Sequence, residues 1–245
     1  MLSITSSQNP TIKLIRSLSE KKYRQETGLF VAEGWDMLDR ARKAGWVPEH
    51  LVSTEPISPW GPVQPLYVTD KIMEGLSGQS NPHTALATFK QHYASDVTPS
   101  GVWVALEDMR DPGNLGTIIR TADAVAASGV ILVGQSCDAY GRDCVRATTG
   151  SIFAVPLVRL EHGAFIALCR TWPGEVVGTR MKATQDFRRV YKSPTLLVMG
   201  SEGRGLSDEI SEACKTLVGI PMPGGAESLN VATATALMLY EAVKP

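Results

Sequence analysis

Thr195-Leu196-Leu197-Val198-Met199-Gly200-Ser201-Glu202-Gly203-Arg204-Gly205-Leu206-Ser207 is an apolar run that breaks into a glycine-rich turn and then meets Asp208 and Glu209. A short continuous apolar run bounded by glycine reads as a buried strand of parallel-sheet type. Ser207 with two acids behind it suits the N-terminus of a helix, where its hydroxyl caps free N–H groups and the acids meet the positive end of the dipole. The stretch is thus a strand, a turn and a helix in succession. Four further runs have the same character, Val102–Leu106, Val130–Val133, Val176–Thr179 and Thr216–Ile220, and helical patterns fit at Leu115–Ala127, His162–Thr171, Ser207–Cys214 and Asn230–Val243. Strands alternating with helices predict an α/β fold on a mostly parallel sheet.

Upstream the pattern is weaker. A basic helix is expected over Pro10–Lys22, strands at Leu29–Ala32, Leu51–Ser53, Leu66–Val68 and Thr84–Phe89, and helices at Glu33–Lys43 and Asp70–Leu76. The polar stretch from Gln91 to Gly101 then interrupts the alternation. It reads as a boundary between a smaller α/β domain, residues 1–95, and a larger one, residues 96–245.

Composition excludes several classes. Hydrophobic residues make up 43% of the 245 and the net charge is -1, which does not describe a disordered chain. No apolar run approaches the roughly 18 residues needed to span a bilayer, and the first ten residues lack a basic segment followed by an apolar one, so a cytoplasmic protein is expected. The four cysteines, Cys137, Cys144, Cys169 and Cys214, have no C-x-x-C spacing and read as reduced thiols. His50, His83, His92 and His162 form no ligand pattern with them, so no metal is expected. The charge is unevenly spread: Lys13–Arg24 holds five basic residues and one acid, Tyr140–Lys192 nine and four, and the chain from Ser193 onward three and six. Local basic segments of this kind suit a nucleic-acid partner despite the neutral total, or are solvated helix faces.

Three turns follow strands and open onto helices, placing them at the carboxyl edge of a parallel sheet, where ligands bind. In Asp111-Pro112-Gly113-Asn114-Leu115-Gly116-Thr117-Ile118-Ile119-Arg120, Asn114 reads either as a helix cap or as a site residue. Arg120 stands in an otherwise apolar helix, where a guanidinium suits an anion. In the glycine-rich turn, Glu202 is a polar anchor or a solvated turn residue; the G-x-x-G-x-G spacing is not the dinucleotide fingerprint, which disfavours a nicotinamide enzyme. In Pro221-Met222-Pro223-Gly224-Gly225-Ala226-Glu227-Ser228-Leu229-Asn230, either Ser228 or Asn230 is the N-cap of the last helix.

Taken in order, N-L-G-T-I-I-R-T-A, G-S-E-G-R-G-L-S and I-P-M-P-G-G-A-E-S-L-N-V resemble the three signature motifs of the SpoU (TrmH-like) branch of the SPOUT RNA methyltransferases. The N-terminal N-P-T-I-K-L-I-R-S-L, K-K-Y-R and G-L-F-V-A-E-G resemble the substrate-binding domain of its ribosomal-RNA members. The resemblance implies a deep trefoil knot in the larger domain, a homodimer, and transfer of a methyl group from S-adenosylmethionine to a ribose 2′-hydroxyl of RNA. It further implies that Gly178, Thr179, Gly200, Gly203, Ile220, Met222 and Leu229 hold the cofactor, and that Arg120, Asn114, Glu202, Ser228 and Asn230 form the catalytic cluster. Ribosomal RNA is the expected substrate; a transfer-RNA enzyme or an inactive knotted RNA-binding protein are the alternatives. Val125-Ala126, Ala232 and Arg146–Ser151 depart from the family pattern without touching the polar cluster.

Overall fold

In the computed structural model, which describes residues 3–79, 81–181 and 183–244, the chain divides into two units. One comprises Met1–Gln91 with Asp138–Ala154, the other His92–Cys137 with Val155–Pro245. One boundary, after residue 95, is expected from the sequence; the observed division has three.

In the first unit, Asn9 caps α1 (Pro10–Ser17) by accepting from the amides of Thr11 and Ile12. The single basic helix expected over Pro10–Lys22 is two, because Glu20 is extended and α2 spans Lys21–Thr27. The side chain of Arg24 makes the break: Nη1 donates to the carbonyls of Leu18 and Ser19, each at 2.8 Å, taking the acceptors a continuing helix would use. Then come β1 (Leu29–Glu33), α3 (Trp35–Lys43), β2 (His50–Ser53), β3 (Pro65–Tyr67), α4 (Asp70–Ser77) and β4 (Ala85–Lys90). The strands form a mixed sheet in the order β1-β4-β2-β3. Alternation assigns its faces. Leu29, Val31, Val52 and Leu86 pack with Ile12 and Ile15 of α1 and with Ile72, Met73 and Leu76 of α4.

Phe30 and Phe89, paired in register, instead enter an aromatic cluster. Its remaining members explain why a segment distant in sequence belongs to this unit. Tyr140 lies 4.7 Å from Phe30 and Phe153 lies 5.0 Å from Phe89, ring centre to ring centre. Asp138 pairs with the buried Arg24 at 2.8 Å. The intervening chain forms a helix that the sequence pattern did not disclose, α6 (Arg142–Thr148), whose Arg142 and Arg146 both donate to the Ser77 carbonyl.

The second unit holds β5 (Val102–Glu107), α5 (Pro112–Ala124), β6 (Gly129–Val133), β7 (Leu157–Leu160), α7 (His162–Thr171), β8 (Glu175–Thr179), β9 (Gln185–Asp186), β10 (Thr195–Met199), α8 (Asp208–Ala213), β11 (Thr216–Gly219) and α9 (Val231–Ala242). All seven strands are parallel, in the order β7-β6-β5-β10-β8-β11-β9. The five expected strands are all present. β7 and β9 escaped the reading because Arg159 interrupts one apolar run and the other is two exposed polar residues. One face of the sheet, with Trp103, Ala105, Ile131, Val133, Leu196 and Val198, packs with residues of α7 and α8. The alternate residues are equally buried, and α5 and α9 pack on one another and on β6, β5 and β10.

Cys169 and Cys214 lie in that core, and burial pushes both thiols up to about 12. They are protonated and shielded at neutral pH, and Cys144 is buried as well. A disulfide-exchange reagent at pH 8 is therefore expected to titrate Cys137 alone rapidly in the native protein and all four cysteines in denaturant. Rapid native reaction of a second thiol would contradict this packing.

Candidate active site

The sheet order makes a crevice. From β5 the chain builds outward through β6 and β7, and β10 lies on the other side of β5, so the β5/β10 boundary is the point where strand order reverses. Met199 is in register with Leu106, Val198 with Gly178, and Val218 with Thr179. The loops after β5, β10, β8 and β11 therefore leave one edge side by side.

Asn114 joins three of these segments. Asp111 caps α5 by accepting from the Asn114 amide at 2.6 Å, so Asn114 is not the cap and its side chain is free for other work. Its Nδ2 donates to Glu202 Oε1 in the glycine-rich turn. Its Oδ1 accepts from Asn230 Nδ2 at 3.0 Å. Asn230 in turn caps α9, its Oδ1 accepting from the amides of Ala232 and Thr233. A side-chain amide donates and accepts in the same plane, which is what a bridge between a carboxylate and a second amide requires.

Arg120 is exposed in the third turn of α5 and makes no hydrogen bond or ion pair among the described residues. Helical side chains lean toward the N-terminus of their helix, so the guanidinium is directed toward the Asn114 end. Ser228 is likewise exposed and unpartnered among the described residues, so of the two candidate caps Asn230 alone fills that role.

The residues expected on the cofactor side divide. Gly200 and Gly178 have packing reasons of their own: a Cβ at Gly200 would lie 2.1 Å from the Gly205 carbonyl carbon, and one at Gly178 would lie 2.8 Å from Leu217 Cδ2. Ser201 and Gly205 exchange backbone hydrogen bonds, and Gly203 (φ +82°) and Gly205 (φ +72°) supply the left-handed residues that close the turn. Thr179 donates to the Val198 carbonyl at 3.3 Å. By contrast Ile220, Met222 and Leu229 follow β11 in an irregular segment, and the amides of Met222 and Leu229 donate to nothing among the described residues. Open amides beside half-exposed apolar side chains fit a ligand that is part flat ring and part polar tail.

Residues 101–240 match the SpoU rRNA Methylase family and residues 9–87 an MRM3-like substrate binding domain. The chain belongs to the SpoU rRNA methylase family. It is 30% identical to the 23S rRNA (guanosine(2553)-2′-O)-methyltransferase RlmP of Bacillus subtilis, over 98% of both chains. Its structure is similar to that of the AdoMet-bound rRNA methyltransferase of Sinorhizobium meliloti, at 38% identity and a TM-score of 0.90, covering 98% of this chain and 96% of that one. The TrmH/SpoU tRNA modifying enzyme of A. aeolicus, 32% identical with a TM-score of 0.50, covers 58% of this chain and 73% of its own.

Within this SpoU methylase fold, one cluster escaped the sequence reading. Glu107, Asp108 and His162 bring ligand-type atoms within 4.8 Å of one another, although 54 residues separate Asp108 from His162. Two of the carboxylate oxygens are committed: Glu107 accepts from the Ser207 amide at 2.9 Å and Asp108 from the Gln135 amide at 2.7 Å. The cluster holds loops in place.

The basic segments also need correction. Arg24 is buried and paired. Arg142 and Arg146 serve the Ser77 carbonyl, Arg159 the carbonyls of Ser136 and Cys137, Arg188 pairs with Asp186 and Arg189 with Glu175. Lys182 lies outside the described residues. In the first segment Lys13, Arg16 and Lys21 remain exposed, with no side-chain hydrogen bond or ion pair among the described residues.

Asn230 combines a cap with a bridge, and substitution separates the two. Asn230→Ala is expected to lower unfolding free energy by about 1 kcal/mol, whereas Asn230→Asp, which keeps a capping oxygen, should change it by no more than about 0.5 kcal/mol. Urea denaturation measures both. Equal loss in the two variants would mean that the Asn114 contact, not the cap, sets the stability.

Proposed function

We propose that the protein methylates a ribose 2′-hydroxyl of ribosomal RNA with S-adenosylmethionine, acting in the cytoplasm as a homodimer with its catalytic domain knotted. The observation that carries the reading is the Asn114 bridge, by which the first turn of α5 draws Glu202 and Asn230, from two other segments at the sheet edge, into one polar cluster. Ribosomal RNA is favoured over transfer RNA because the similarity to an rRNA methyltransferase runs over nearly the whole chain, that to a tRNA enzyme over little more than half. Exposed Leu237 and Tyr240 on α9 support a second copy docking there. Insertion of β10 between β5 and β8, both earlier in the chain, supports a threaded fold. No helix of the described residues is long and apolar enough to cross a membrane, which is compatible with the compartment.

When bound, S-adenosylmethionine supplies an electrophilic methyl group; Ile220, Met222 and Leu229 would hold it through backbone groups, with Thr179, Gly178, Gly200 and Gly203 bordering it. The chain's task is to position a weak nucleophile and to stabilise the charge it develops. Arg120 carries five donors fixed in a planar fork, so it stabilises the developing oxyanion and grips the neighbouring phosphate. As the new O–CH3 bond forms and the methyl–sulfur bond breaks, the hydroxyl proton passes to water at the exposed crevice. Asn114, held by Glu202 and Asn230, keeps the crevice in one geometry, and Ser228 offers a hydroxyl beside it. None of these roles requires a metal.

Transfer of a labelled methyl group to unmodified ribosomal RNA tests the reading. Arg120→Ala is expected to lower kcat by about a hundredfold, the scale of losing a transition-state donor, with S-adenosylmethionine affinity retained. The mapped product should be a 2′-O-methyl nucleotide. Label on a base, or full activity in the variant, would overturn the mechanism.

A further inference from the structure

Trp35 is the first residue of α3 and is 44% exposed, a large aromatic face left bare in the N-terminal unit. The indole is nevertheless held, its Nε1 donating to Thr84 Oγ1 at 3.0 Å. It lines a cleft of about 430 Å³ together with Asp36, Asp39, Arg42, Ile57 and Trp60. The Arg42 guanidinium lies over the Trp60 ring, 4.7 Å from its centre. A planar cation stacked on an indole keeps its outer face for a second flat partner.

The charges at this cleft cancel. Asp36 and Asp39 offset Arg42 and the adjacent Lys43, whose Nζ binds Asp39 at 2.6 Å. A phosphate gains little from such a wall. A flat, uncharged ring with N–H donors along one edge gains stacking from Trp35 and Arg42 and an acceptor from a carboxylate. An unpaired nucleobase has that chemistry.

We propose that this cleft takes an unpaired base of the RNA substrate, stacked on Trp35 with its Watson–Crick edge toward Asp36. Guanine is preferred, since its ring N–H and amino group together match the two oxygens of one carboxylate. The residues lie within the 9–87 match to a substrate binding domain and outside the catalytic cluster. The proposal rests on the reading that the substrate is RNA, and its test separates the two.

The five tryptophan indole N–H signals of the full-length ¹⁵N-labelled protein can be resolved, with Trp35→Phe identifying one of them. Titration uses a single-stranded uridine octanucleotide with and without one central guanosine, and inorganic polyphosphate as the charge control. The Trp35 signal is expected to shift saturably with RNA, at lower concentration for the guanosine-containing strand, and not with polyphosphate. A Trp35 signal that stays still at saturating RNA, or moves equally with polyphosphate, would overturn the proposal; equal response to both strands would overturn the guanine preference. In methyl transfer, Trp35→Ala should raise KM for ribosomal RNA about tenfold with kcat and S-adenosylmethionine affinity held, and Trp35→Phe should restore most of the loss. Absence of wild-type methylation defeats the RNA methyltransferase reading, whereas wild-type activity with an unchanged KM in Trp35→Ala defeats only the cleft.

Discussion

The parallel pairing of β10 between β5 and β8 is the constraint on which the site depends. It sets residues 195–199 against 102–106 on one side and against 175–178 on the other, in register. Strands from three distant parts of the chain therefore end at one edge, and the loops that follow have no choice but to meet. Register errors are strongly disfavoured here, because both faces of β10 are buried and a one-residue slip would turn every side chain to the opposite face. The polar cluster inherits its precision from that apolar pairing.

Asn114, Glu202 and Asn230 illustrate how little of such a site is carried by any one loop. Each has an ordinary structural reading of its own, and for Asn230 that reading holds as well, since it caps α9. What marks the three is mutual contact, with Asn114 accepting from one partner and donating to the other. The glycine-rich turn works the same way. Gly200 is required by the turn folding back on it, and the result of that tight closure is that Glu202 is presented toward Asn114.

The long buried strands were legible because burial on both faces leaves a continuous apolar run, and the α/β class followed from their spacing. The order of three motifs singles out candidate site residues, of which the structure brings Asn114, Glu202 and Asn230 into contact, while their hydrogen-bond roles were not legible: nothing local says that Asp111 rather than Asn114 caps α5. Charge was the least legible property. Arg24, Arg159 and Arg189 look like surface cations in a linear reading, yet each is spent on buried carbonyls or a carboxylate, because a long side chain reaches partners that spacing does not reveal. The unit division was hidden for a related reason, since Tyr140 and Phe153 complete an aromatic cluster begun at Phe30 and Phe89.

That cluster has a bearing on how the chain comes to be folded. Asp138, Tyr140 and Phe153 are synthesised well after β4, the last strand of the N-terminal sheet, yet they neutralise Arg24 and cover Phe30. During translation the N-terminal sheet must wait, with an uncompensated cation and open rings, until residue 153 has left the ribosomal tunnel, by which time β5, α5 and β6 of the next unit are also outside. The N-terminal unit is therefore completed only after part of the next has been made, and it is not a module that can be cut away at its first boundary.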